Sequence, residues 1–295
     1  MKFLNLKPSV GLLSIPYSLI FIFFFFIPLI LTFIISFWDY NEYSIIPDFI
    51  FENYSYIFKD CLNFEKDMCV TFKTYLSTFI FCFITWFFTL IIGFFVAYFL
   101  AFYVNSITWQ IVLFLLCTIP FWTSNVIRMI SWIPLLGRNG LVNDFLLSTG
   151  LADAPQEWLL YSSFSIVLAF VHLYTLFMIV PIFNSMMRID KSIIEAAYDN
   201  GANGLQILWN VIIPLCKPGI VIGSIFVITV VMGDFITIGI MGGQQIPSIG
   251  KIIYVEMSYL QLPAAAANAV ILLALTLLII WITVSYTHLT LPTRT

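Results

Sequence analysis

Long apolar runs separated by short polar connections set the pattern of this chain. Crossing a bilayer takes about 20 apolar residues. Six runs meet that length: 12–37, 74–102, 108–127, 160–184, 218–241 and 263–284. They are continuous rather than alternating, which predicts helices and not barrel strands. Pro28, Pro120 and Pro181 fall within or at the ends of runs, where a kink is tolerated if neighbours satisfy the backbone. The connections differ in character. Residues 38–73 are polar and acidic, and 103–107 is a short turn. Residues 128–159 carry Arg128, Arg138, Asp144, Asp153 and Glu157, with a short helix expected near 141–148. Residues 242–262 mix Gly242, Gly243, Lys251 and Glu256 with apolar positions, as a partly inserted loop does. The pattern predicts one all-α integral membrane domain over 1–284 with six transmembrane helices. Residues 285–295 turn Thr-rich and read as a scar or assembly artefact rather than as part of the domain.

One connection breaks the pattern more deliberately. Residues 195–219 read EAAYDNGANGLQILWNVIIPLCKPG. Asp190 is placed to cap a helix that starts at Lys191. Ile193, Ile194, Ala197 and Tyr198 then share a face at helical spacing. Asn200-Gly201 ends that helix, since glycine takes the left-handed turn past a C-terminus. Asn203 caps a second helix with Leu205, Leu208, Val211 and Ile212 on its apolar face. Pro214 is expected to stop it, and Lys217-Pro218-Gly219 to open the next span. Ala196, Ala197, Gly201 and Ala202 leave the elbow almost bare. On physical grounds this is either a docking knob or an ordinary helix pair lying on the membrane.

Composition narrows the class. The chain is 61% hydrophobic and 9% charged, whereas soluble domains carry about 25% charged residues. It therefore cannot cover a water-facing surface, and the absence of a basic run argues against nucleic acid. Cys61 and Cys69 share the polar connection 38–73 and can pair if that connection faces an oxidising side, although spacing alone does not decide it. Cys82 and Cys117 read as small apolar residues. His172 and His288 are far apart in sequence and give no metal pattern. Lys and Arg do not settle orientation. With the N-terminus inside, Lys2, Lys7, Arg188, Lys191, Lys217 and Arg294 fall on one side. Lys59, Lys66, Lys73, Arg128, Arg138 and Lys251 fall on the other.

Three features inside the apolar runs carry chemistry. Asp234 sits in a span, where a charge costs about 2.5–3.5 kcal/mol on insertion scales. It either lines a path for a cation or is a structural group paired with Arg128 or placed at a helix end. Trp132 is either a ring for a cationic chain or an interfacial belt residue, while Arg128 is expected to fix a carboxylate or a helix end. Gly219 and Gly223 form a G-x-x-x-G that permits close helix contact, within the subunit or across a dimer.

The polar elbow resembles the signature loop of bacterial ABC importer permeases: Glu195-Ala196-Ala197, then Gly201, then Val211, Ile213 and Pro214. Val211 and Ile213 replace the commonest Ile and Leu. The stretches FWTSNVIRMISWIPLLGRNGLVNDFL (121–146) and MGDFITIGIMGG (232–243) are similar to the spermidine/putrescine-type subunits, whereas QLPAAAANAV (261–270) matches that pattern only loosely. The resemblance implies a type I ABC importer permease (MetI-like) fold in the bacterial inner membrane, with six spans, both termini cytoplasmic and the elbow as a coupling helix. It implies ATPase subunits as a dimer, a second permease and an extracytoplasmic solute-binding protein as partners, with a polyamine as cargo. No G-x-x-x-x-G-K-[ST] is present, so ATP and Mg are expected on the partner ATPase and the chain itself is not expected to be an enzyme. The reading from a different class is a stand-alone secondary transporter or channel for a small organic cation. It would be marked by inverted repeats and broken helices with ion ligands, and neither pattern is evident in the sequence.

Overall fold

The computed structural model describes residues 10–41, 44–59, 61, 69–243 and 245–288. Lys2, Lys7, Lys66 and Arg294 of the orientation count lie outside the described residues, as does the tail beyond His288. In chain order the elements are α1 (Val10–Phe21), a π turn (Ile22–Phe26) and α2 (Ile27–Ile35), then the antiparallel pair β1 (Asp39–Tyr40) and β2 (Ile45–Ile46) and the short α3 (Glu52–Ile57). There follow α4 (Val70–Tyr98) with a π turn (Phe99–Tyr103), α5 (Ile107–Thr118) with a 3-10 turn (Ile119–Trp122), α6 (Asn125–Leu136), α7 (Leu141–Ser148) and α8 (Ser163–Met186). The rest is α9 (Lys191–Asp199), α10 (Gly204–Ile207), a π turn (Leu208–Ile212), α11 (Ile213–Gly233), α12 (Ile236–Met241), α13 (Ile249–Ser258) and α14 (Leu262–His288).

Among the described residues, five helices are long and apolar enough to cross a membrane, and a sixth crossing requires the bent pair Ile107–Trp122 and Asn125–Ser148, which meet at 88°. The predicted spans therefore hold in number if the bent pair counts as one, but three boundaries change. The run 108–127 is not one straight helix. Pro120 lacks an N–H, the last turn tightens to 3-10, and Thr123 leaves the helix in an extended conformation. The run 218–241 stops at Gly233, and α12 is a separate helix. The expected stop at Pro214 does not occur, and one helical stretch extends from Gly204 to Gly233. A proline ring clashes with the carbonyl four residues back and offers that carbonyl no N–H. The π turn Leu208–Ile212, just before Pro214, widens the helix at that carbonyl, so the chain continues. The same device precedes Pro28, where the π turn Ile22–Phe26 leads into α2. The helix near 141–148 appears as α7, and α14 passes residue 284 without a break.

The described residues form two compact units: those within 1–69 and 253–273, and those within 70–252 and 274–295. The core of the larger is the packing of α4, α8 and α11 on one another. Glycines let these helices approach. A Cβ at Gly93 would lie 2.8 Å from Met178 Cγ, and one at Gly223 2.7 Å from Met178 Sδ. At Gly219 it would run into the Pro181 carbonyl and lie 2.6 Å from Ser185 Cβ. The G-x-x-x-G of 219–223 thus packs within the chain, against α8. Polar groups in this core are satisfied locally: Thr74, Thr78 and Thr89 donate to carbonyls four residues back, and the Trp86 indole N–H donates to Ser224 at 2.8 Å. In the smaller unit, buried Asn53 donates to the carbonyls of Ser36 and Trp38 at 3.0 and 2.8 Å, and Phe37 nests among Phe49, Phe51 and Tyr54. A Cys61–Cys69 disulfide closes the connection after α3.

Candidate functional site

Two regions of the larger unit hold the residues singled out from the sequence. The first is the elbow. Asp190 accepts the Ser192 N–H at 3.1 Å and starts α9. At its end Gly201 has φ +79, and its N–H and that of Ala202 bond back to Tyr198 and Ala197 at 2.8 and 3.1 Å. Asn203 and Gln206 then form a reciprocal capping box at 2.8 and 2.9 Å. Both caps and the left-handed glycine lie where the sequence placed them.

What those caps hold in place is an outward-facing surface. No residue of α9 is buried. Glu195, Ala196 and Gly201 are exposed, and Ala197, Val211 and Ile213 are half-buried. A Cβ built on Gly201 meets nothing within 4 Å. Ile193 and Tyr198, expected on the apolar face, are exposed too. Beneath the helix lies a cavity of about 290 Å³ lined by Tyr98, Phe102 and Tyr103 together with Ile194, Glu195 and Tyr198. Of the expected apolar face, Ile194 and Ala197 are half-buried while Ile193 and Tyr198 are exposed, so the described residues cover it only in part.

The second region is a polar cluster between α6, α8 and α12. Asp234 ends α11 with extended backbone (ψ 107), so it stands at a helix break. Its carboxylate accepts three hydrogen bonds: from the Tyr174 hydroxyl, from the Thr237 N–H at 2.9 Å and from the Thr237 hydroxyl at 2.5 Å. Such donors fill the carboxylate's acceptor positions where water is scarce. Arg128 is only 7% exposed. Its guanidinium donates to the Asn125 side chain, three residues back, and its Nε has no partner among the described residues. Of the two expectations for Arg128, a carboxylate or a helix end, no Asp or Glu among the described residues pairs with it, and its bond is to Asn125, the first residue of α6. The Trp132 indole N–H donates to His172 Nδ1 at 3.1 Å, with the rings edge to face at 5.6 Å. That bond fixes His172 Nδ1 as an acceptor.

The structure therefore brings Arg128, Trp132 and Asp234 into one neighbourhood and adds Asn125, His172, Tyr174 and Thr237, which sequence reading passed over. Of these only His172 carried a signal, as an ionisable group in an apolar run. Tyrosine, threonine and asparagine are too common in such runs to stand out. The arrangement combines a held carboxylate, aromatic walls (Phe170 and Phe177 flank Tyr174) and a buried guanidinium. It offers charge-assisted contacts and no nucleophile set for covalent chemistry.

No family model matches the chain. It is 35% identical over 175 residues to the spermidine/putrescine transport system permease protein PotB of Escherichia coli (strain K12), covering 58% of this chain and 63% of that protein, so it spans less than two thirds of that relative's length. Among solved structures it is similar to a bacterial alginate ABC transporter in complex with an alginate pentasaccharide-bound periplasmic protein, with a TM-score of 0.72, 15% identity, and 92% of this chain and 91% of that one covered. It is also similar to the MetNI methionine ABC transporter in its inward-facing form, with a TM-score of 0.51, 18% identity, and 73% and 92% covered. The chain is a multi-pass membrane protein with the fold of the ABC importer permeases, and its sequence resembles the spermidine/putrescine permeases of that group.

Proposed function

We propose that this chain is the transmembrane permease subunit of a bacterial ABC importer and that its cargo is a polyamine such as spermidine or putrescine. The observation that carries the reading is the elbow: a twice-capped helix with no buried residue and an open left-handed glycine, on the fold of the ABC importer permeases. In this reading the surface around Glu195, Ala196, Ala197 and Gly201 seats against an ATPase subunit, which binds ATP and Mg. Val211, Ile213 and Pro214 link the elbow to the span, and the unbroken helix from Gly204 to Gly233 makes that link stiff. Motion imposed at the elbow passes along this helix to its far end at Asp234. The remaining partners are a second permease and an extracytoplasmic solute-binding protein, and both termini are cytoplasmic. The disulfide between Cys61 and Cys69 supports an outward-facing connection, since such bonds persist in oxidising compartments. Asp234, with Tyr174, is the anionic point on the path of an ammonium ion. Trp132 and Arg128 stand beside it.

Co-expression with the ATPase encoded nearest this chain tests the first half: the two should co-purify, and Glu195→Lys should release the ATPase while the permease stays in the membrane. Co-purification unchanged by that substitution would sink the docking role. Uptake of radiolabelled spermidine by cells carrying the assembled system tests the second half.

A further inference from the structure

Within the smaller unit, α13 and α14 are joined by a tight turn. Leu260 has φ +61, a left-handed conformation rare for a branched side chain, and the Gln261 N–H returns to the Glu256 carbonyl at 2.9 Å. The turn sets the end of α13 against the alanine-lined start of α14, where Ala264–Ala267 are buried. Glu256 and Asn268 meet there. The Asn268 amide nitrogen is 3.0 Å from both carboxylate oxygens. Asn268 is only 3% exposed and Glu256 is half-buried.

The donor count does not balance. A carboxylate accepts about four hydrogen bonds, and here one amide group is its sole donor among the described residues. No Lys, Arg or His of the described residues pairs with Glu256. The other polar atom of Asn268, its carbonyl oxygen, is a further acceptor without a partner among the described residues. Burial pushes the Glu256 carboxyl above the ordinary carboxylate range, and the Asn268 amide opposes that rise. Tyr40 on β1 feels the same surplus of negative charge: its hydroxyl is pushed up by burial, then by Glu256, Tyr56 and Asp39. An amide-clamped carboxylate beside a free carbonyl lacks one thing, a cationic group with several N–H donors.

We propose that Glu256 and Asn268 form a receiving site for a primary ammonium group of the transported cation, apart from Asp234. The proposal rests on the polyamine reading above. An ammonium offers three donors, enough for the carboxylate and the Asn268 carbonyl together. Glu256→Gln keeps an oxygen for the Asn268 clamp and removes only the charge.

The test uses the assembled transporter in lipid nanodiscs, titrated calorimetrically with spermidine, with 1,3-diaminopropane and with tetramethylammonium, which has no N–H donor. Wild type should bind the first two and not the third. Glu256→Gln should weaken both by about tenfold, the loss of one charge-assisted hydrogen bond. Wild-type affinity should fall as pH falls through the raised Glu256 value, and the Glu256→Gln variant should be flat over that range. Equal binding by the two proteins, or equal binding of tetramethylammonium, overturns the site. So does a lower maximal uptake rate in the variant with no change in affinity, since that is the mark of a structural staple. Spermidine uptake by wild type is measured separately. Its absence overturns the polyamine reading, while the comparison of wild type with Glu256→Gln in binding still decides the site.

Discussion

The elbow at Asp190–Asn203 and the break at Gly233–Thr237 are built from similar residues: a glycine, an aspartate and short polar side chains between apolar helices. They are used in opposite ways. At the elbow every hydrogen bond serves the backbone, and the side chains of Glu195, Ile193 and Tyr198 are left outside. At the break the aspartate turns inward and its oxygens are filled by Tyr174 and Thr237. A polar interruption whose caps are complete but whose side chains are idle points to another molecule. One whose side chains are spent on neighbours holds the chain's own shape first, and any ligand must compete with those bonds.

Substitutions can break that comparison, and the largest effect belongs to the elbow. Glu195→Lys should reduce uptake to about a hundredth or less, the scale of reversing a charge in a protein interface. Because Glu195 has no partner among the described residues, the melting temperature of the isolated permease should stay where it was. A fall in melting temperature equal to that of a core variant would place Glu195 among structural groups and erase the contrast. The break should behave in reverse. Asp234→Ala strands the Tyr174 hydroxyl and both Thr237 donors and should cost about 2–3 kcal/mol of stability, read as a lower melting temperature in detergent. If Asp234→Ala leaves stability unchanged and only uptake falls, the carboxylate serves the cargo alone.

How far these regions were legible in the sequence follows from the same contrast. The elbow was readable because caps and left-handed glycines are local: Asp190, Gly201 and Asn203 act within four residues of themselves. The break was half readable. Asp234 announced itself by its charge, but Tyr174 lies 60 positions away and looks like any aromatic residue of a span. Arg128 left two alternatives open for the same reason. Its side chain is held by Asn125 at the start of α6, not by a carboxylate. Pro214 misled because the rule that proline ends a helix assumes a regular turn before it, and the π turn Leu208–Ile212 removes that premise. The G-x-x-x-G at 219–223 left its partner open, since small residues admit any close surface. Only the fold showed that Pro181 and Ser185 occupy that space.

Gly201 sharpens the comparison at a smaller scale, because two causes can be separated there. Gly201→Ala should cost about 1–2 kcal/mol through the left-handed backbone alone. Gly201→Asn should cost less, since asparagine tolerates that conformation. Both side chains enter open space in the isolated chain. If strain is the only issue, uptake in the two variants should rank as their stabilities do. If the elbow is closely covered by an ATPase, Gly201→Asn should be the more stable protein and yet the poorer transporter, because its side chain is the larger.

The smallest expected effect lies beside the break. Trp132→Phe removes the indole N–H from His172 Nδ1 and keeps most of the ring, so the loss should be about 0.5–1.5 kcal/mol, one hydrogen bond. In the variant His172 Nδ1 no longer faces a donor and is open to a proton, so uptake should also become more sensitive to mild acid. A protonated His172 would add a second positive charge near Arg128, in the path proposed for a cation. Uptake measured between pH 5.5 and 7.5 (about one unit on either side of the ordinary histidine value) reads this directly. Trp132→Phe should fall off at the acid end while wild type holds. Parallel profiles would mean that the indole only packs there, and that the polar contacts that matter in this region end at Tyr174 and Thr237.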